Sequence, residues 1–243
     1  MKLDRVTLTG ADDSVSPSAL LEISRQFPFV EWGVLFGGPI EGSVRFPSVK
    51  WVIEDLLPAK VIAEQEGGKM DLCAHLCGRF VMLLLQEGKH FLDIAFERSQ
   101  INTHGIPLDW YGNPSEIKDI LNVVQGEWGG QFIFQHDGEN NEIVKQWVEA
   151  GLGVPLFDTS SGAGLTPSDL EETWPTHFGE DKYCGYAGGL GPDNVVEQLE
   201  LIESKVPEDG RIWIDMETKL FTKGKFDLDK CVDVLSQVEP FIS

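Results

Sequence analysis

Eight short runs of β-branched, aromatic and aliphatic residues recur along the whole chain, each followed by an amphipathic stretch. No other feature of the sequence restricts the fold as much. The runs are Val6–Thr9, Trp32–Phe36, Leu72–Cys77, Ser99–Thr103, Phe132–Gln135, Val154–Asp158, Tyr183–Ala187 and Ile212–Asp215. They end at residues 9, 36, 77, 103, 135, 158, 187 and 215, so each repeat has room for one strand, one helix and two loops. Helix-start signals stand between them. Ser16 and Pro17 precede Ser18–Arg25, and Pro47 and Ser48 open a stretch to about Glu64. A third helix is expected from Gly78 to Glu87. Asn113, Pro114 and Ser115 open Glu116–Gln125, and Asn140 and Asn141 precede Glu142–Ala150. Pro192 and Asp193 precede Asn194–Lys205, and Asp227 opens Leu228–Val238. Thr166–His177 reads as one short turn, Pro167–Leu170, followed by loop. Eight βα repeats in 243 residues, with no Pro/Ser-rich linker, predict an α/β fold in which residues 1–243 form one closed (β/α)8 TIM barrel. A doubly wound open sheet is the rival arrangement.

The charge balance bears on partners. With 40 acidic against 19 basic residues the formal net charge is −21. That field repels phosphate backbones and anionic headgroups, so neither nucleic acid nor a membrane surface is expected as a partner. A small anion is still admissible where backbone dipoles or one Arg oppose the field locally. The longest apolar run, Phe80–Leu85, is far short of the roughly 20 residues a spanning helix needs. The opening MKLDRVTLTG has charges where a signal peptide would carry its apolar core. Cys73, Cys77, Cys184 and Cys231 lack a zinc-ribbon spacing, so reduced thiols and a cytoplasmic location are expected. Nothing in the sequence indicates an oligomeric state.

Barrel enzymes carry their chemistry at the carboxyl ends of the strands. Those positions hold Thr9 with Asp12 and Asp13, then Arg45, His75, Cys77, His104, Gln135, His136 and Asp137. Asp158, Gly188, Gly189, Asp215 and Glu217 complete the ring. His75, His104 and His136 end consecutive runs, which raises a metal reading with Asp137 or Asp158, but no HxH or HExxH spacing supports it, so no metal ligands are assigned. The stretch AGGLGPDNV runs from the seventh strand into a helix. Its Gly188 and Gly189 suit either close backbone approach to an anion or a tight turn. Asp158 ends an apolar strand, where a carboxyl lacking a cation is suited to general-acid work, and the Ser/Gly-rich loop after it can cover a site. Trp110, Tyr111 and Trp174 stand in loops as candidate lids or interface anchors, Cys77 as a candidate reactive thiol.

Taken together, these motifs resemble the phosphoribosylanthranilate isomerase family of tryptophan biosynthesis. YAGGLGPDNVVE is similar to the family's LAGGLNPENV, FDTSSGAGLTPSD to its LLDT and Gly-rich loop, and QINTHG to its VQLHG. GSVRFPS is similar to SPRYV, LTGADD stands where the family has KICGIT, and IDMETKLFTKGKFDLDKCVDVL parallels DVSSGVE and the last helix. The resemblance spans nearly the full length in strand order. It implies an Amadori rearrangement without a cofactor, in which a general acid opens a ribosyl ring and a general base removes the C2 proton. Asp158 matches the general acid, Arg45 the partner of the aminobenzoate carboxylate, and Gly188 and Gly189 the phosphate-binding backbone.

Departures from the family fall on functional positions. The catalytic Cys of the first strand is replaced by Thr9, whose hydroxyl is a poor base near neutral pH. The Ser-Ser-Gly after the eighth strand reads Glu217, Thr218 and Lys219, which sets a carboxylate beside the expected phosphate. An isomerase of the family's type therefore needs another base, with Asp12, Asp13, Glu217 or His104 as candidates. The alternatives are a barrel enzyme with a different, non-phosphorylated or metal-assisted substrate, and a non-catalytic relative that binds a ligand or partner.

Overall fold

Charged residues open several of the strands, ahead of the apolar runs. A computed structural model describes residues 1–37, 42–87, 96–102, 113–136, 138, 140–158, 163–179 and 182–243. Its strands are β1 (Lys2–Thr9), β2 (Val30–Phe36), β3 (Asp71–Cys77), β4 (Arg98–Asn102), β5 (Gln131–His136), β6 (Gly153–Asp158), β7 (Tyr183–Ala187) and β8 (Arg211–Met216). All eight pair in parallel with their neighbours in order, and β8 closes on β1 through partners such as Leu8 and Met216. The chain is a closed (β/α)8 barrel, as the spacing predicts. Most strands start before the apolar runs do, because Lys2, Glu31, Asp71, Arg98 and Arg211 belong to them.

Alternate strand residues face the helices and the barrel interior. Leu8, Trp32, Leu72, Leu76, Phe132 and Tyr186 point outward and are fully buried under the helical layer. Inside, a short apolar plug of Cys73, Ile133, Leu156 and Trp213 fills the middle of the barrel. Gly185 makes space for it, since a Cβ there would lie 2.3 Å from the Trp213 indole. Below the plug lies an ion-pair network centred on Glu31, which is 0% exposed. Glu31 accepts hydrogen bonds from Arg5 Nη1 at 2.5 Å, Thr7 Oγ1 at 2.8 Å and Arg98 Nη1 at 3.0 Å. The Arg98 guanidinium also lies over Trp213, 4.1 Å from the ring centre. Above the plug, at the carboxyl ends, the interior is polar and open.

The helices follow the predicted plan with small changes of extent. They are Pro17–Gln26, Arg79–Glu87, Pro114–Trp128, Asn141–Glu149, Val195–Glu203 and Leu228–Val238, plus a composite one after β2. In that composite, Val49–Trp51 and Leu57–Gln65 are α-helical and Val52–Leu56 is a π turn. Pro58 accounts for the π turn: it cannot donate to the carbonyl four residues back, and its ring crowds that carbonyl. Between β6 and β7 the described residues hold only the 3₁₀ turn Pro167–Leu170, closed by a Thr166–Asp169 capping box. Trp174 fills the place of a helix there. It is buried against Tyr186 and donates from Nε1 to Gln198 Oε1 at 3.0 Å, so it is core rather than the lid or interface anchor expected. Trp110 and Tyr111 lie outside the described residues. Among the described residues no helix is long and apolar enough to cross a membrane.

Candidate functional site

A cavity of about 270 Å³ opens at the carboxyl ends of the strands, above the apolar plug. Thr9, Arg45, His75, Cys77, Asp158, Gly188, Gly189, Asp215, Glu217 and Thr218 are all on its wall. Each strand delivers its last inward residue there, so side chains distant in sequence meet.

Barrel closure makes the pair at the centre. Thr9 Oγ1, at the end of β1, donates to Asp215 Oδ1, near the end of β8, at 3.0 Å. His75 Nε2 lies 3.7 Å from Asp215 Oδ2, too far for a direct hydrogen bond. Gly33 on β2 lets these groups approach, because a Cβ there would lie 2.1 Å from Thr9 Oγ1 and 2.9 Å from His75 Nε2. Burial dominates the protonation of both neighbours of Thr9. It pushes the His75 pKa down to about 4, leaving a neutral imidazole at pH 7. It holds the Asp215 carboxyl well above the usual range, against the Thr9 hydrogen bond, and the charges of Glu217, Glu31 and Asp158 add to the shift. Thr9 is thus a hydrogen-bond donor to an acid whose proton is tightly held.

Asp158, 8% exposed, faces the same cavity from β6 and accepts from Gln135 Nε2 at 2.7 Å. It aligns with Ala187 on β7, which aligns with Asp215 on β8. The two carboxyl-bearing residues therefore stand at one level of the barrel, two strand spacings or about 10 Å apart along the sheet.

Arg45 and Glu217 pair with each other across the mouth, Nη1 to Oε1 at 2.7 Å. Burial raises the Glu217 pKa, Arg45 draws it back and Asp158 adds to the rise. The carboxylate after β8 is therefore offset by Arg45, and the side chain that the resemblance assigns to a substrate carboxylate already has an internal one. Arg45 takes a left-handed φ of 68°, an unusual state for a non-glycine residue. Its N–H donates to Asp12 Oδ2 at 2.9 Å, which ties the loop to β1. Asp12 also accepts from the Ser14 N–H and hydroxyl, while Asp13 accepts from those of Ser48. Both acids are thereby committed to loop structure and neither lines the cavity.

Gly188 and Gly189 have φ of 119° and 62°, and a Cβ on Gly189 would lie 2.4 Å from the Leu165 carbonyl carbon. Among the described residues, no backbone or side-chain acceptor takes their N–H groups. The N–H of Gly191 is taken by Asn194 Oδ1 at 2.9 Å. Thr218 closes against Gly164 on the same side of the cavity.

Other expected positions fall differently. His136 points outward and packs edge-on to Phe157, with ring centres 5.3 Å apart, so it does not share the site with His75. His104 and Asp137 lie outside the described residues. Among the described residues no group of three His, Cys, Asp or Glu side chains is placed to hold a metal. Burial pushes the Cys77 thiol up to about 11, with Glu217 adding to the rise and the Asn102 hydrogen bond opposing it, which makes it unreactive at pH 7. Asp215, present in the sequence only as one more strand-end acid, is the functional group that sequence reasoning missed as a partner of Thr9.

The Thr9 contact predicts a measurable shift. Thr9→Val keeps the shape and removes the donor that holds the Asp215 pKa down. Carboxyl ¹³C titration is expected to show Asp215 ionising at higher pH in the variant than in the wild type. An unchanged or lower ionisation pH would detach Thr9 from Asp215.

No known sequence family matches the chain, and no curated protein matches it either. Solved structures do. N-(5'-phosphoribosyl)anthranilate isomerase from Pyrococcus furiosus aligns over 98% of this chain and 99% of its own, with 14% identity and a TM-score of 0.56. Monomers of the dimeric phosphoribosylanthranilate isomerase from Thermotoga maritima give the same values. Tryptophan synthase from M. tuberculosis aligns over 99% of this chain and 93% of its own, with 16% identity and a TM-score of 0.55. At such identities the likeness is one of fold: end to end, the chain is built on the (β/α)8 plan of these enzymes.

Proposed function

We propose that this cavity isomerises a phosphorylated sugar conjugate by acid–base chemistry of the Amadori type. The observation that carries the proposal is the placement of Asp158 and Asp215 at one level of one cavity, with Asp215 bonded to the residue in the family's base position. Asp158 protonates the ring oxygen as the C1–O bond breaks, leaving an iminium ion. Asp215 removes the C2 proton to give the enol amine, and return of a proton to C1 yields the ketone. A raised pKa makes Asp215 a stronger base than an ordinary carboxylate once ionised, and confines the second step to the fraction of molecules in which it has lost its proton, so turnover should rise with pH. Gly188, Gly189 and Thr218 supply the phosphate end, where open backbone N–H groups suit an anion. Pairing of Glu217 with Arg45 removes much of its repulsion of that phosphate.

Deuterium exchange at C2 tests this directly. The enzyme is incubated in D2O with N-(5-phosphoribosyl)anthranilate and with phosphoribosyl conjugates of aliphatic amines, and the products are read by NMR. Ketone formation with deuterium at C1, or C2 exchange alone, is expected for at least one conjugate. The absence of both throughout would remove the isomerase reading. The Arg45–Glu217 pair predicts that conjugates without an aromatic carboxylate are the better substrates.

A further inference from the structure

Among the described residues, three buried polar atoms on one side of the cavity have no hydrogen-bond partner: His75 Nε2 on β3, Gln100 Oε1 on β4 and Gln135 Oε1 on β5. Their residues are 2%, 4% and 5% exposed, and all three line the cavity. Buried polar atoms are nearly always satisfied in folded proteins, so three neighbouring exceptions inside a cavity indicate groups kept for a ligand. We infer that the wall formed by β3, β4 and β5 is a hydroxyl-binding subsite, so that the group joined to the phosphorylated sugar is a polyol or second sugar rather than an aromatic acid.

The chemistry of the three atoms selects the class. The other ends of the two amides are already used: Gln100 Nε2 donates to Asn102 Oδ1 at 2.6 Å, and Gln135 Nε2 donates to Asp158 Oδ2 at 2.7 Å. With these bonds made, both amide oxygens are left unmet, and an amide oxygen accepts only. The neutral His75 nitrogen either donates or accepts, according to tautomer. Several hydroxyls satisfy all three, because each one both donates and accepts. A carboxylate only accepts, so it would face two amide oxygens, and the cation expected to hold it is already paired with Glu217. His75 Nε2 and Asp215 Oδ2, 3.7 Å apart, also leave space for one hydroxyl to bridge them.

This inference rests on the reading of the cavity as the isomerase site, and binding of inert probes separates the two. Reductive amination of ribose 5-phosphate gives ribityl 5-phosphate amines that cannot isomerise, one N-substituted with glucitol and one with 2-carboxyphenyl. Calorimetry with the full chain is expected to show the glucityl probe binding at least about tenfold tighter. Gln100→Leu should weaken the glucityl probe by about tenfold and leave the carboxyphenyl probe within about twofold. Gln100→Glu, which keeps an acceptor, should retain most of the glucityl affinity. Equal or tighter binding of the carboxyphenyl probe, parallel loss of both probes in Gln100→Leu, or binding of neither would overturn the subsite. If Gln100→Leu does not fold, the wild-type preference between the probes decides the matter. A glucityl preference without C2 exchange in any conjugate would keep the subsite and remove the isomerase reading.

Discussion

Asp158→Asn is expected to lower turnover of any isomerised conjugate by on the order of 10³-fold, the usual worth of a placed general acid. The amide fills the same volume and its oxygen can still accept from Gln135 Nε2, so the cavity wall keeps its shape. The amide cannot deliver a proton to the ring oxygen. Ligand affinity measured by calorimetry should therefore stay within a few-fold of wild type. Asp215→Asn should also abolish turnover, but with a different signature in stability. The folded pKa of Asp215 lies above its unfolded value, so the folded state holds a proton that the unfolded state has released. The contribution of Asp215 is fully present below the unfolded pKa and is lost as pH rises toward the folded one. Asparagine has no such loss. Thermal melting from pH 4 to pH 8 should show Asp215→Asn gaining on wild type as pH rises. Retained turnover in either variant would remove that carboxyl from the mechanism.

Glu31→Gln is expected to be the most destabilising conservative change in the chain, at about 3–5 kcal/mol. The glutamine keeps the volume but takes away the charge on which Arg5 and Arg98 both converge. Arg5 retains Asp71 at 3.3 Å, whereas Arg98, 3% exposed, keeps among the described residues only Gln131 Oε1 and its aromatic neighbours. A buried guanidinium without a carboxylate is the costly product. For a chain of this size the melting temperature should fall by roughly 6–20 °C. The two guanidinium groups, opposing burial, hold the Glu31 pKa below the usual range. Its contribution is therefore present above the unfolded pKa and lost as pH falls through the folded one. Wild type should accordingly lose stability steeply in acid, and Glu31→Gln should lack that part of the slope. A melting temperature within about 2 °C of wild type at pH 7 would contradict the account.

The same network explains where the sequence was readable. Hydrophobic runs marked all eight strands, because the outward face of every strand packs under a helix and must be apolar. They did not mark Glu31 or Arg98, since a charge next to an apolar run reads as the start of a loop. Inside a barrel, however, the charges of separate strands meet and neutralise one another. Direction was not legible for the histidines: His75 and His136 both stand near the ends of apolar runs, and only the strand register shows one facing the cavity and the other facing outward. Asp158 and the Gly188–Gly189 turn were visible as strand-end features of β6 and β7. The Thr9–Asp215 bond was not, because it depends on β8 closing against β1. Nor was the Arg45–Glu217 pair, which joins the loop after β2 to the end of β8.

The closing seam also bears on when, during its making, this protein becomes competent. Thr9 and Asp215 are 206 residues apart, and they meet only across the last strand pair to form. At about 5–20 residues per second a ribosome needs roughly 10–40 s to make the second partner after the first. Until then the edge of β1 is unpaired and half of the central acid pair does not exist. A nascent chain that already holds β1 to β7 thus presents an open sheet edge, a target for chaperones and for misassembly with its own copies. The cavity itself is completed only with the final strand, which brings Asp215 and Glu217 to its wall.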